Sequence, residues 1–166
     1  LEKTLDQPNA KANVRIDGPE GLKRAKEYQA RKAAASFVGL TWRKEAGGRE
    51  LPPIFNVIFN QEEQKFQAPV GPFAIGLGMC IPTVIAFHSP ERVKHYVGPA
   101  LRGEEIWCQL FSEPGAGSDV AGLKTRAVRD GDDWIINGQK VWTSGAHYSD
   151  YGIVLVRTNP EKEKHK

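Results

Sequence analysis

Apolar residues recur at three- to four-residue intervals through the first part of the chain. This spacing predicts amphipathic helices over residues 20–40 and 54–66, because positions three and four apart share one face of a helix. Paired glycines at 47–48 and paired prolines at 52–53 separate the two segments, so the chain is expected to turn there. Acids and bases alternate in the first segment, which indicates a solvated outer face.

Two further helices are predicted before the pattern changes. Residues 75–87 are almost entirely apolar and predict a buried helix with a kink or break near Pro82. Ser89, followed by Pro90 and an acid, is typical of a helix start, since the hydroxyl can cap the first turn and proline suits the first helical position. This last helix is predicted to end before Gly103.

After Glu105 the sequence takes on the alternation typical of strands. Strand segments are predicted at residues 106–111, 124–129, 134–136, 140–142 and 151–157. Asn137-Gly138 lies between the third and fourth segments and suits a type I′ turn, in which both central residues need a positive φ. These two segments are therefore predicted to form a hairpin.

Helices followed by strands predict an α+β chain with two domains. The expected architecture is an N-terminal all-α helical bundle over residues 1–105, followed by part of an antiparallel β-barrel over residues 106–166. Such a partial barrel would leave a sheet edge without a partner. We therefore expect the 166 residues to be a fragment of a longer protein.

Composition narrows the class of protein. With 40% hydrophobic and 26% charged residues, the chain is expected to fold rather than stay disordered. The net charge is +3, and because the basic residues are mixed with acidic ones, no nucleic-acid-binding face is expected. The polar tail at 161–166 is expected to be a loop rather than a binding arm. No apolar run reaches the roughly 18 residues that a membrane helix needs. Cys80 and Cys108 lack disulfide or zinc spacing and are expected to be reduced thiols of a cytoplasmic protein.

Several motifs fail on physical grounds. The stretch ending in Lys124-Thr125 is one residue away from a phosphate-binding P-loop, but Leu123 separates the glycine from the lysine and no helix follows. The Gly-x-Gly pairs lack the third glycine of a dinucleotide fingerprint. The histidines lack paired spacing and are interpreted as surface or capping residues rather than metal ligands: His88, His95, His147 and His165.

The segment 109–119, QLFSEPGAGSD, is the strongest candidate for chemistry. An apolar strand ends there in a hydroxyl and a carboxylate and runs into a glycine-rich loop. Glycines let backbone N–H groups approach a phosphate or the polar edge of a ring. An ordinary turn between strands explains the same composition about equally well.

The string SEPGAGSD, with the following VAGLKTRAVRDGDDWIINGQKVWTSGA, resembles the middle domain of acyl-CoA dehydrogenases. Residues 39–51 resemble a segment of that family's N-terminal helical domain. The chain departs from the family pattern at Arg43, Ala46 and Glu50, and carries Ser112 where threonine is commoner. The resemblance implies an FAD-dependent oxidoreductase of fatty acid metabolism that acts on acyl-CoA.

The resemblance also implies a set of cofactor-binding residues. In the family, backbone groups near Phe111 and both the backbone and hydroxyl of Ser112 contact the pyrimidine edge of the flavin. The tryptophan that matches Trp142 packs on the ring, and the glycine that matches Gly117 lies near the pyrophosphate. The implied FAD-binding residues are Gln109, Leu110, Phe111, Ser112, Gly117, Ser118, Trp142, Thr143 and Ser144, with Ser118 also reaching the acyl-CoA. Trp134 is instead expected in the core of a barrel strand, Trp107 is expected to be structural, and Glu113 is assigned no catalytic role.

No catalytic residue is assigned in this chain. The family's carboxylate base comes from a C-terminal helical bundle that nothing here matches, so the fragment alone is expected to be inactive. A homotetramer or another oligomer is implied, with electron-transfer flavoprotein as electron acceptor. Gly76 and Gly78 either leave room for an acyl tail or allow close helix packing.

Three alternatives stay open. The protein could be an acyl-CoA oxidase-like or a nitroalkane-oxidase-like flavoenzyme, both of which share the scaffold but pass electrons to oxygen. It could also be a non-catalytic subunit of a heteromeric dehydrogenase.

Overall fold

A computed structural model describes residues 18–159, 161 and 162, which form two compact units that meet in sequence at Trp107 and Cys108. The helices are α1 Gly18–Ala34, α2 Ile54–Glu63, α3 Gly71–Ile75, α4 Ile81–Phe87 and α5 Pro90–Arg102, and the strands are β1 Trp107–Leu110, β2 Arg126–Asp130, β3 Asp133–Asn137 and β4 Tyr151–Val154. Helices followed by small sheets confirm the predicted α+β order. Expectations for residues 1–17, for His165 and for most of the tail at 161–166 lie outside the described residues.

The core of the first unit forms where α1 and α4 pack on α5. Ala25 on α1, Ile81 on α4 and Val97 on α5 are almost completely buried. The buried Gln29 amide donates a hydrogen bond to the carbonyl of Leu101 at 2.8 Å, which satisfies an acceptor in the last turn of α5. The unit is therefore a small helical bundle with an apolar centre.

Two helices are shorter than their apolar patterns predict. α1 ends at Ala34 rather than near residue 40, because Ser36 takes a left-handed conformation with φ 62°. The N–H of Phe37 then donates to the carbonyl of Lys32 at 2.9 Å and closes the helix end. α2 ends at Glu63 rather than at residue 66.

The predicted interruption near Pro82 is confirmed as a π-helical turn. α3 and α4 are joined by this turn, Gly76–Cys80, in which the N–H of Ile81 bonds the carbonyl of Gly76. Proline has no N–H to donate, so the helix widens by one residue just before it. The segment is only half buried: Ile81 is inaccessible, whereas 84% of Phe87 is exposed, so the expectation of a fully buried helix is wrong.

The two glycines of this turn have different surroundings. A Cβ at Gly76 would lie 3.2 Å from Cβ of Trp107, whereas a Cβ at Gly78 would meet nothing within 4 Å. Close packing is therefore the reason for glycine at 76. Trp107 itself is buried and makes an edge-to-face contact with Tyr96 at 5.3 Å, which confirms its expected structural role.

α5 follows its prediction closely. The Ser89 hydroxyl accepts a hydrogen bond from the N–H of Arg92, and Pro90 occupies the first turn. Gly103 ends the helix with φ 74°, a conformation that favours glycine. Each of these terminal features is local in sequence, which explains why the prediction succeeds.

The segment at 39–51 folds back on itself in a compact loop. The N–H of Leu51 donates to the carbonyl of Leu40 at 2.8 Å, and that of Glu50 donates to the carbonyl of Trp42 at 2.8 Å. A Cβ at Gly48 would collide with the Trp42 backbone, so only glycine fits there. Glu50 has φ 55°, a left-handed conformation that glycine would adopt without strain.

The described residues of the second unit form two separate two-stranded sheets, β1 with β4 and β2 with β3. β2 and β3 are antiparallel in the register Ala127 to Ile136, with a turn through Gly131 at φ 59°. The hairpin predicted at Asn137-Gly138 is therefore wrong. Asn137 stays in β3 and does not take the positive φ that a type I′ turn requires, so residues 140–142 do not fold back on β3 and instead approach the loop after β1.

The described part of the second unit does not close into a barrel. β2 and β3 leave apolar side chains exposed, including Val128 and Ile135. Trp134, expected in a barrel core, is 51% exposed because the β2–β3 hairpin lacks a covering layer here. Among the described residues, no helix combines the length and apolar character required to cross a membrane.

Candidate functional site

The glycine-rich segment leaves β1 and forms a tight turn. Glu113 and Ala116 exchange two backbone hydrogen bonds, from N–H of Glu113 at 2.8 Å and from N–H of Ala116 at 3.1 Å. Pro114 and Gly115 form the exposed tip. A Cβ at Gly115 or Gly117 would meet nothing within 4 Å, so the backbone of this loop is open to an approaching group.

The sequence-predicted residues of this segment differ in exposure. Ser118 is exposed in the loop, beside Gly117. The four residues that precede the turn are partly buried: Gln109, Leu110, Phe111 and Ser112. The segment thus presents a half-buried strand end followed by an accessible loop.

The Glu113 carboxylate holds this loop in place. It is buried and accepts hydrogen bonds from the N–H of Lys124 at 2.6 Å, the N–H of Thr125 at 2.9 Å and Nζ of Lys140 at 2.8 Å. Burial alone would raise the pKa of Glu113, but the hydrogen bonds of Lys140, Thr125 and Lys124 lower it to about 2. A carboxylate engaged by three donors is not available as a proton acceptor near neutral pH, so it serves as an anchor.

Lys140 is a functional candidate that the sequence pattern missed. Its Nζ donates to the Phe111 carbonyl at 3.0 Å as well as to Glu113, and both side chains of the ion pair are more than nine-tenths buried. In the sequence Lys140 belonged to a predicted strand and had no identifiable partner. The spacing of 27 residues between it and Glu113 gave no local signal.

A backbone contact brings the second group of predicted residues to the first. The N–H of Val141 donates to the Ser112 carbonyl at 2.9 Å. Trp142 follows directly, with φ 59° and 90% of its surface exposed. Thr143 is partly buried and Ser144 is exposed. Residues 111–113 and 140–142 are therefore adjacent in space, as a shared ligand would require.

The backbone conformation of Trp142 is unusual for an aromatic residue. A non-glycine residue in the left-handed region carries strain, and such residues are often found at ligand sites. A tryptophan that is almost fully exposed also gains little from burial in the protein itself. Both features fit a side chain held ready to pack on a planar ligand.

Arg157 makes hydrogen bonds to the segment between the glycine-rich loop and β2. Its guanidinium donates to the Ala121 carbonyl at 2.7 Å, and its backbone N–H donates to the Thr125 carbonyl at 2.8 Å. The N–H of Ala127 in turn donates to the Arg157 carbonyl at 3.0 Å. These bonds link the chain after β4 to the start of β2. No motif in the sequence indicated this role for Arg157.

The described histidines are all exposed on the surface. His88 caps the end of α4, and His95 and His147 are exposed. Their interpretation as surface or capping residues is confirmed, while His165 lies outside the described residues.

Comparison with known proteins identifies the class. Residues 108–166 match the family model for the acyl-CoA dehydrogenase middle domain. The acyl-CoA dehydrogenase IpdE1 of Mycobacterium tuberculosis is 42% identical over 147 residues, which cover 88% of this chain and 38% of that protein. The chain belongs to the acyl-CoA dehydrogenase family.

Solved structures agree with this assignment. A structure described as the Tcur3481-Tcur3483 steroid ACAD superposes with a TM-score of 0.77 and 34% identity, covering 91% of this chain and 38% of that one. The ChsE4-ChsE5 complex from Mycobacterium tuberculosis superposes with a TM-score of 0.73 and 37% identity, covering 88% and 39%. The chain thus spans less than half the length of the relatives it matches.

Proposed function

We propose that the second unit forms part of an FAD site, in a protein that oxidises an acyl-CoA thioester. The observation that carries the proposal is the hydrogen bond between Val141 N–H and the Ser112 carbonyl. It sets the strand end at Ser112 beside the exposed Trp142, so one planar ligand can meet both. Family membership supports the choice of flavin among planar ligands.

The residues present suit an isoalloxazine ring and its pyrophosphate. Trp142 offers an exposed aromatic face at a fixed backbone position, and aromatic rings pack favourably on other planar π-systems. Gly117 and the exposed Ser118 offer backbone and hydroxyl groups to an anion, since no Cβ obstructs the loop there. Thr143 and Ser144 would donate hydrogen bonds near the ring, where donors tune the potential of a flavin.

In the proposed reaction, bound FAD and the residues of the protein have different roles. When bound, FAD supplies a hydride acceptor at N5 for the β-hydrogen of the thioester. The chain's own residues bind and orient this group, and Ser118 is proposed to reach the acyl-CoA as well. No residue of this chain is assigned as the α-proton acceptor, because none matches the carboxylate base of the family, and the Glu113 carboxylate already accepts from three donors.

Anaerobic mixing of the full-length protein with acyl-CoA thioesters tests this function. Because one structural neighbour is described as a steroid ACAD, the panel should include both straight-chain and steroid-linked thioesters. We expect the visible absorption of the bound flavin to bleach with at least one of them. A full-length protein that carries no flavin, or whose flavin stays oxidised with the whole panel, would contradict the proposal.

The electron acceptor distinguishes the proposed dehydrogenase from its oxidase-like relatives. We propose a protein acceptor of the electron-transfer flavoprotein type. Turnover with an artificial dye but little oxygen consumption is the expected result. Stoichiometric oxygen consumption would instead assign an acyl-CoA oxidase-like or nitroalkane-oxidase-like enzyme.

A second candidate is a subunit of a heteromeric dehydrogenase. It is favoured because the ChsE4-ChsE5 structure is described as a complex of two components. In that case a partner chain would complete the site, and the full-length protein alone would bind flavin poorly. Co-expression that restores both bound FAD and turnover would identify this arrangement, whereas full activity of the homo-oligomer would exclude it.

A further inference from the structure

The buried ion pair of Lys140 and Glu113 also contacts the backbone at Phe111. Lys140 Nζ reaches the Phe111 carbonyl at 3.0 Å while it also pairs with Glu113 at 2.8 Å. Glu113 is anchored in turn by the N–H groups of Lys124 and Thr125. The ammonium is therefore held from one side and holds the Phe111 peptide on the other.

The hydrogen bond from Lys140 to the Phe111 carbonyl also determines the direction of the Ser112 N–H, because both groups belong to the same planar peptide. In a planar trans peptide, the carbonyl of one residue and the N–H of the next point in opposite directions. A bond from Lys140 to the Phe111 carbonyl thus fixes the direction of the Ser112 N–H, which points away from the ammonium. The Ser112 carbonyl is fixed separately by Val141 N–H at 2.9 Å. Both peptides around Ser112 are consequently prevented from rotating.

We propose that Lys140 and Glu113 are positioning residues that aim the Ser112 N–H at the ring edge of the flavin. The inference rests on the proposed function, because it concerns how that site is held ready. Without Lys140 the Phe111 carbonyl would lose its donor, and the Phe111–Ser112 peptide could rotate. A site whose donors must be reoriented on binding has a lower affinity than a preorganised one.

A double substitution separates this role from simple stabilisation. Removing one partner of a buried ion pair leaves an uncompensated charge, so Glu113→Gln and Lys140→Met are each expected to lower stability. Replacing both residues removes the charges together and is expected to restore part of that stability, although glutamine offers one acceptor oxygen to the N–H groups of Lys124 and Thr125 where the carboxylate offers two. The double variant still lacks the donor to Phe111. Its flavin affinity should therefore stay low although its fold recovers.

The test measures FAD affinity, thermal unfolding of the apoprotein and the visible spectrum of bound flavin, all on the full-length protein. Lys94→Met, which removes an exposed lysine from α5, is the matched control. We expect the double variant to bind FAD at least about tenfold more weakly than the unsubstituted protein, with a shifted flavin band. Lys140→Arg, which retains a cationic donor, should recover part of the affinity.

Three results would overturn the inference in distinguishable ways. If the double variant unfolds as the parent does and binds FAD with parental affinity and spectrum, the pair is only structural. If affinity follows stability across all variants, positioning is likewise excluded. If the unsubstituted full-length protein binds no FAD, the proposed function fails and this inference falls with it.

Discussion

At the scale of single residues, the site is defined by side chains whose environments differ from what their chemistry would favour. Trp142 is apolar yet 90% exposed, and Glu113 is charged yet buried. Trp142 is not covered by any described residue of the second unit, and Glu113 is satisfied by three donors. The exposed residue is therefore available to a ligand, while the buried one maintains the loop.

Replacing Trp142 should separate binding from folding. Trp142→Gly removes an exposed side chain and relieves the positive φ, so the free energy of unfolding of the apoprotein should change by less than about 1 kcal/mol. FAD affinity should fall roughly tenfold, because a stacking partner is lost. FAD titration and chemical denaturation of the full-length protein check both expectations. Trp134→Ala is the control and should leave FAD affinity unchanged; an equal loss there would refute a specific role for Trp142.

The Glu113 carboxylate should give the protein a defined acid sensitivity. Its pKa falls from the ordinary 4.5 to about 2 on folding, so its stabilising contribution is complete above about pH 4.5 and is lost as the pH falls toward 2. Glu113→Gln removes this contribution at every pH. The difference in free energy of unfolding between parent and variant should therefore be constant near neutrality and shrink below about pH 4.5. Urea titrations at several pH values measure it, and a difference that stays constant down to about pH 3 would count against this assignment.

Among the secondary-structure elements, α2 is attached to α1 through polar contacts at its end rather than through a buried apolar face. No residue of α2 is buried, and Ile54 and Ile58 are each at least half exposed. Glu63 at its end accepts hydrogen bonds from Tyr28 and Lys32 of α1, both at 2.7 Å. Burial and the bond to Glu63 raise the pKa of Tyr28, so this contact is stabilising below about pH 10 and weakens only as the pH rises further.

Glu63 should accordingly contribute more to the free energy of unfolding than its neighbour Glu62. Glu63→Ala leaves the Tyr28 hydroxyl and Lys32 ammonium without their shared acceptor and should cost about 2 kcal/mol of unfolding free energy. Glu62→Ala, which breaks only an exposed pair with Lys65, should cost about 0.5 kcal/mol or less. Hydrogen exchange should also show faster opening of α2 in the first variant. Equal effects of the two substitutions would mean that α2 is held by other contacts.

The two glycines of the π-helical turn provide a matched pair at the same scale. Gly78→Ala places a methyl group in open space and reduces the freedom of the unfolded chain, so it should stabilise the protein by about 0.5–1 kcal/mol. Gly76→Ala presses a methyl group against Trp107 and should lose that gain or destabilise. Thermal unfolding distinguishes them. Equal stabilisation by both would show that the Trp107 contact yields easily.

At the scale of the whole molecule, what could be predicted depended on how local the determining interactions are. The bounds of α5 followed from Ser89, Pro90 and Gly103, and the break near Pro82 from a missing N–H. The hairpin at Asn137-Gly138 was mispredicted because Asn137 is paired with Arg126 at the end of β3 and does not take the positive φ of a type I′ turn.

Long-range contacts in the site could not be predicted from the sequence pattern. The composition of 109–119 suited a ligand loop and an ordinary turn about equally well, and only the family resemblance favoured the ligand loop and implied its FAD contacts. The role of Lys140 depends on contacts 27 and 29 positions away in sequence, and the exposure of Trp142 depends on the path of the chain after β3.

The most direct test of the flavin site is a crystal structure of the full-length protein with FAD bound. We predict that the ring lies against Trp142, with the Ser112 N–H and hydroxyl at its pyrimidine edge, Gly117 near the pyrophosphate and Lys140 still bonded to the Phe111 carbonyl. FAD bound elsewhere, with Ser112 and Trp142 both out of contact with the ring, would contradict it.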